Sequence, residues 1–291
     1  GGVLAERDVQ QYQGMTSDIL DSRGQYGEDP QWTGRMFGGM PSYLINTYYP
    51  AEWIKHSVGQ VVKIIDQPAS FVFFAMVAFW AMLLMMKVRR MPSVVGALGY
   101  GLSTYFFLII SAGHITKMWA LVYAPLMVGA VWYSFKRNRW AGAAMTALFT
   151  ALQVGANHPQ ITYYFLLVMG AMWIALLVEA VREGTLRKFA LTTAAVALAG
   201  VLGVGANFSP LWYTMQHQPE TIRGGSELAV AEDGAEGLDL QYATAWSYGR
   251  TESLNLLVPN LMGGASNETF ADDGAVAEAL TPYGLRQVAG Q

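Results

Sequence analysis

Apolar residues in this chain come in six long runs separated by short polar turns, and the runs define its architecture. They cover 68–86, 92–110, 118–135, 140–156, 161–181 and 189–211, each close to the roughly 20 residues a helix needs to cross the hydrocarbon core of a bilayer. The fourth is the shortest, which sets its mouth at Asn157 below the level of the headgroups. Pro125, Gly200, Gly203 and Gly205 fall inside runs, as is normal for membrane helices. Ahead of the first run the pattern is mixed. From Asp8 to Asp21, the residues Val9, Tyr12, Met15 (or Thr16), Ile19 and Leu20 recur at helical spacing and predict a short amphipathic helix. Residues 24–39 are punctuated by Gly and Pro and read as loop. Residues 51–66 return to helical period, with Trp53, Ile54, Val58, Val61, Val62 and Ile65 on one side. Trp53, Lys55 and Lys63 suit a helix lying in the membrane interface, and an ordinary helix packed on protein accounts for the pattern equally well.

Composition agrees with this pattern. Of 291 residues 53% are hydrophobic and 13% charged, with a mean hydropathy of +0.27. No Asp or Glu occurs between Gln67 and Val178, the distribution of an all-α polytopic membrane protein rather than a globular one. The absence of cysteine excludes disulfides and thiolate metal sites. Three regions result: an outer segment at 1–67, a six-span bundle at 68–211, and an acidic segment at 212–291. The start at Gly-Gly and the stop in polar sequence read as a fragment with a further span before Gly1.

Charge sets the orientation. Lys87, Arg89 and Arg90, then Lys136, Arg137 and Arg139, then Arg182, Arg187 and Lys188 fill the alternate turns. The intervening turns at 111–117 and 157–160 hold one lysine, Lys117. The positive-inside rule makes the basic turns cytoplasmic, so residues 1–67, both His-bearing turns and everything after Leu211 lie outside. All four histidines (His56, His114, His158, His217) then share the outer side. Residues 212–291 carry eleven acidic groups against three arginines. They predict short helices and ordered loop, with Trp212, Trp246, Tyr248, Leu256, Leu257 and Val258 to bury.

The candidate chemistry gathers in the turns. Ser111 to Lys117 puts His114 and Lys117 at the rim of a span, and Asn157-His158-Pro159-Gln160 repeats the arrangement. Polar groups there are costly unless they meet water or a partner. Together they suit a phosphate held at the membrane surface, with lysine as a point charge and histidine as a donor. Simple snorkelling of each side chain to water is the competing explanation. Asp8 is the carboxylate best placed for catalysis, and N-capping of the helix that follows explains it as well. Asp18 and Asp21 read as solvated positions. Arg223 in T-I-R-G-G-S and Glu252 in Y-G-R-T-E-S sit in Gly-flanked loops where backbone can approach a ligand, and half of a structural ion pair is the alternative for each. Trp32 with Phe37-Gly38-Gly39-Met40-Pro41 forms a turn with an aromatic anchor, read as fastening the loop rather than stacking a sugar. A divalent cation fits only if Asp8, His114 and His158 converge, since nothing has metal-ligand spacing along the chain. No other cofactor is expected, and phosphate-loop, dinucleotide and Ser-His-Asp signatures are absent.

Taken in order, D-V-Q-Q-Y-Q-G-M (8–15), P-Q-W-T-G-R-M-F-G-G-M-P (30–41), A-G-H-I-T-K (112–117), N-H-P-Q-I-T-Y-Y (157–164), T-I-R-G-G-S-E-L (221–228) and W-S-Y-G-R-T-E-S-L-N-L-L-V-P-N (246–260) strongly resemble the bacterial YfhO-like membrane proteins of the GT-C glycosyltransferases. The resemblance runs through nearly the whole chain. It implies a multi-pass protein of the bacterial inner membrane that moves a sugar from a polyprenyl-phosphate donor to an envelope glycan or lipid acceptor on the extracytoplasmic face. Its partners are that donor, the acceptor and the lipid bilayer, with no nucleic acid. The essential carboxylate of the pattern, in the first outer loop, matches Asp8. Relatives often show an acidic pair, whereas here Glu6 and Asp8 flank Arg7. His114, Lys117, His158, Gln160, Arg223 and Glu252 are then the substrate-binding candidates. Two other classes compete, a lipid or polysaccharide transporter or flippase and a non-catalytic envelope scaffold. An enzyme requires Asp8, His114, His158 and Lys117 around one outward cavity, a transporter requires a polar path to the midplane, and a scaffold leaves these groups dispersed.

Overall fold

The computed structural model describes residues 7–36, 38–220, 244, 247, 249–258 and 261. The chain opens with helix α1 (Arg7–Tyr26) and a two-stranded antiparallel hairpin, β1 (Trp32–Thr33) with β2 (Met40–Pro41), in which Trp32 faces Pro41 and Thr33 faces Met40. A helix α2 (Trp53–Val62) follows. Then come α3 (Ala69–Met85), α4 (Arg90–Gly101), α5 (Thr104–Ser111), α6 (Ile115–Lys136), α7 (Arg139–Gly155), α8 (Pro159–Arg182), α9 (Leu186–Gly205) and α10 (Phe208–His217). Among the described residues the fold is all-α apart from that hairpin, and four helical stretches are long and apolar enough to cross a membrane: Arg90–Ser111, Ile115–Lys136, Pro159–Arg182 and Leu186–Gly205.

Most differences from the sequence reading lie at breaks and ends. The first helix runs on through Gly24 to Tyr26, where loop was expected. The run at 92–110 is not one helix: it breaks at Leu102-Ser103 into α4 and α5. Gly101, just before the break, packs closely on α3: a Cβ there would run into Met76 and sit 3.2 Å from the Val72 carbonyl oxygen. The run at 189–211 breaks at Ala206-Asn207, so α9 stops at Gly205 and α10 is separate. The first and fourth runs form helices of 17 residues each, only about 25 Å long at 1.5 Å per residue. Asp18 is not simply solvated: its carboxylate accepts the Thr33 hydroxyl at 2.7 and 2.9 Å, fastening the hairpin to α1. Trp32 lies against Gly39, where the indole leaves no room for a Cβ and φ is +93°.

The core forms where α3, α5, α6 and the start of α8 meet, around Phe71, Phe106, Ile109, Met118, Leu121 and Ile161. Helix α6 is its buried axis, while α8 exposes most of its apolar surface. Pro125 interrupts α6 and removes the N–H that would donate to the Leu121 carbonyl. The Tyr100 hydroxyl of α4 donates to that carbonyl instead, at 2.7 Å. Small residues let α7 nest between α6 and α9. A Cβ at Gly203 would lie 2.6 Å from Thr150 Cβ and 2.7 Å from the Ala147 carbonyl.

The ends of the bundle differ in chemistry. At one end Lys136 pairs with Glu179, and Arg139 donates to Thr192 Oγ1 at 3.0 Å and the Lys188 carbonyl at 3.3 Å. There Asn138 caps α7, its side-chain oxygen accepting from Trp140 N at 3.1 Å and Ala141 N at 3.0 Å. The other end of α6, its 22 residues reaching about 33 Å away, carries the histidine turns.

Candidate functional site

The two histidine turns are built alike. Helix α5 closes with Gly113 at φ +78°, and its termination is complete: Gly113 N donates to Ile110 O and His114 N to Ile109 O, both at 3.0 Å. His114 is then the residue that opens α6. Helix α7 closes with Asn157 at φ +55°, a conformation asparagine tolerates better than most side chains. His158 follows and opens α8, with Pro159 in the first turn. Each turn thus sets a histidine at a helix N-terminus, where the macrodipole is positive. Neither helix has an acidic residue in its first turn.

Both turns open into one cavity of about 790 Å³. Its wall takes His114 and Lys117 from the start of α6, His158 from α8, Val9 and Tyr12 from α1, Lys55 and His56 from α2, and Asn207 from the α9–α10 junction. Lys117 Nζ lies 3.4 Å from His114 Nδ1, which accepts from the ammonium when the imidazole is neutral. His158 Nδ1 is buried and has no hydrogen-bond partner among the described residues. Burial pushes the His158 imidazole below its usual value, and the positive charge of Lys117 and the nearby His114 add to that shift. Three cationic or cationisable groups therefore share a partly dry corner that an anion would relieve.

The wall also carries tyrosines and a carboxylate. Tyr43, Tyr48 and Tyr49 come from the segment after the hairpin, and Glu52 from the residue that opens α2. This segment is anchored to α1 through Arg23, which pairs with Asp29 at 2.6 Å and donates to the Asn46 carbonyl at 3.1 Å. Asp29 in turn accepts Tyr48 N at 2.8 Å, and Arg23 beside it holds its carboxyl below the usual range. Helix α10 closes the side, with Tyr213 at 5.1 Å from Tyr43 and 6.3 Å from Tyr49. Asn207, nearly fully buried, donates to the Ala151 carbonyl at 2.9 Å and ties the α9–α10 break to α7.

The structure treats the sequence candidates unequally. His114, Lys117 and His158 come together in the wall, and His56 joins them, stacked on Tyr48 at 4.5 Å. His217 lies outside the wall, edge-on to Tyr43. Asp8 sits in the first turn of α1, directly before Val9 and one turn before Tyr12; its side chain is outside the described residues. Gln160 does not join the site: it is exposed, and its amide donates to the Tyr164 hydroxyl at 2.8 Å. Glu252 is also exposed and accepts Gly249 N at 2.7 Å, a local turn contact. Arg223 lies outside the described residues, as do Trp246 and Tyr248. Among the described residues no group of three or more His, Asp or Glu is gathered closely enough to hold a metal. Sequence reasoning missed Glu52, Lys55 and the tyrosines of the wall. Asn207 was the visible signal, a lone amide inside an apolar run.

No protein-family model, curated protein or solved structure matches this chain, so the YfhO-like resemblance stands on its ordered motifs alone.

Proposed function

We propose that this cavity transfers a sugar from a polyprenyl-phosphate donor to an envelope acceptor, in a GT-C-type protein crossing the bacterial inner membrane six times in 68–211 with the cavity facing outward. The observation that carries the reading is the convergence of His114, Lys117 and His158 on one cavity whose wall begins one residue after Asp8. The clustering of basic turns at the other end supports the orientation.

In this reaction the acceptor hydroxyl oxygen forms a bond to the anomeric carbon as the bond from that carbon to the phosphate oxygen breaks. The electron pair stays on the phosphate oxygen, and the hydroxyl proton passes to the Asp8 carboxylate as general base. Charge grows on the lipid phosphate as it leaves. Lys117, the two histidines and the N-termini of α6 and α8 are the preorganised groups that stabilise it. A divalent cation would need Asp8 as a ligand beside His114 and His158. A transporter finds less support: among the described residues no Asp, Glu, Lys or Arg is buried within the bundle helices, and Thr146 spends its hydroxyl on its own helix.

The test is transfer by the full-length protein reconstituted in vesicles, using a panel of polyprenyl-phosphate sugars. Asp8→Asn abolishes transfer with expression intact, and Lys117→Ala raises the donor KM while sparing acceptor dependence. Full transfer by Asp8→Asn removes Asp8 from its role, and no transfer from any donor by the native protein removes the reading.

A further inference from the structure

Glu52 is the carboxylate that neither the motifs nor the charge pattern singled out. It is 5% exposed, yet it forms part of the cavity wall. Burying a carboxylate costs several kcal/mol unless its oxygens are well served. Its single hydrogen-bonding group among the described residues is the Lys55 ammonium, at 3.1 and 3.3 Å from its two oxygens. A carboxylate accepts about four hydrogen bonds, so acceptor capacity is left over inside the cavity. Lys55 is half exposed and sits three residues on in the same helix, a pairing of the kind that contributes little on its own. A second polar atom nearby is unserved: the Tyr49 hydroxyl is shielded and lacks a partner among the described residues. Tyr49 and Glu52 are already joined through the backbone, Glu52 N donating to Tyr49 O at 3.0 Å. An unfilled acceptor, an unfilled hydroxyl and neighbouring aromatic rings make a surface for a neutral ligand rich in hydroxyls.

The geometry points to Glu52 and Tyr49 as a sugar-binding subsite, other than the cationic corner, in which the carboxylate accepts ligand hydroxyls beside the tyrosines of the wall. It rests on the sugar-transfer reading for its substrate class and adds the residues that hold the uncharged part of a substrate. The anion corner grips phosphate; this wall grips the glycosyl or polyol group.

The experiment uses the full-length protein in nanodiscs free of sugar detergents, with a panel of methyl glycosides (gluco, galacto, manno and N-acetylglucosamine) followed by saturation-transfer NMR. At least one glycoside binds the native protein. Glu52→Gln weakens that binding tenfold or more, and Gly200→Ala, outside the cavity, leaves it unchanged. The double variant Glu52→Gln/Lys55→Gln removes the ion pair without stranding a charge, so it recovers stability but not binding. Absence of binding across the panel, native-like binding by Glu52→Gln, or recovery of binding in the double variant overturns the subsite. Vesicle transfer assays separate the two ideas. Glycoside binding without transfer removes the enzyme reading and leaves Glu52 its role, whereas transfer with an acceptor and donor dependence unmoved by Glu52→Gln removes the subsite alone.

Discussion

Tyr100→Phe tests how the buried axis of the bundle survives its proline. Pro125 leaves the Leu121 carbonyl without its intrahelical donor, and the Tyr100 hydroxyl replaces it at 2.7 Å in a region where Leu121 is 7% exposed. Hydrogen bonds between membrane helices average only about 0.6 kcal/mol, because groups freed by mutation find other partners. This carbonyl has lost its helical alternative, so the cost follows the orphaned-acceptor range of about 1–3 kcal/mol, and we expect about 1.5. The assay is reversible unfolding of the purified protein by SDS in mixed micelles, run as a double-mutant cycle with Pro125→Ala. An alanine at 125 restores an N–H for Leu121 O, so Tyr100→Phe in that background costs at least about 1 kcal/mol less, well above the additivity error of about 0.3–0.5 kcal/mol. Equal costs in the two backgrounds would refute the exchange of donors. Ring packing stays constant through the cycle, since Tyr100 stacks on Phe79 at 4.5 Å and that contact survives the change to Phe.

The remaining predictions concern other sites. His158 is held below its ordinary value by burial, Lys117 and His114, so the unfolded chain takes up its proton first as pH falls. Stability therefore drops as pH falls from about 6.5 toward the lowered value, and is flat above; His158→Gln removes that slope in unfolding measured from pH 5 to 8. Gly203→Ala drives a methyl into Thr150 and the Ala147 carbonyl and costs about 1–3 kcal/mol, whereas Gly200→Ala, facing open space on the same helix, gains about 0.5–1 kcal/mol of helix propensity. The same unfolding assay reads both. Asn138→Ala removes a side chain that accepts two N–H groups at the start of α7 and costs about 1 kcal/mol, with Asn138→Asp close to native.

How much of this was legible depends on the range of the cause. Helices α6 and α8 follow the apolar runs at 118–135 and 161–181 to within a few residues, because their periodicity and basic flanks are local properties. The break at Leu102 was not, since G-Y-G-L-S passes for ordinary membrane sequence. The histidine turns stood out because polar groups at a span rim are expensive, and their likeness extends to the left-handed residue ahead of each histidine. Gln160 shared the motif but not the site, because Pro159 starts the helix and turns position 160 outward to Tyr164. Glu52 looked like any surface glutamate: its burial follows from a loop held by Arg23 and Asp29 and from α10 folding back, contacts that no window of sequence contains.

Helix α7 ends early, at the cavity. Starting level with the end of α6 at Asn138, it stops at Gly155, five residues sooner than its 22-residue neighbour, a deficit of about 7 Å. The cavity wall follows α6 from Ile115 to Tyr123, about 12 Å along its axis, and takes in the last turn of α7 at Leu152, Val154 and Gly155. If the cavity faces outward as proposed, its floor lies below the rim of the spans, and a molecule tethered to a lipid reaches it with its tail still in the bilayer.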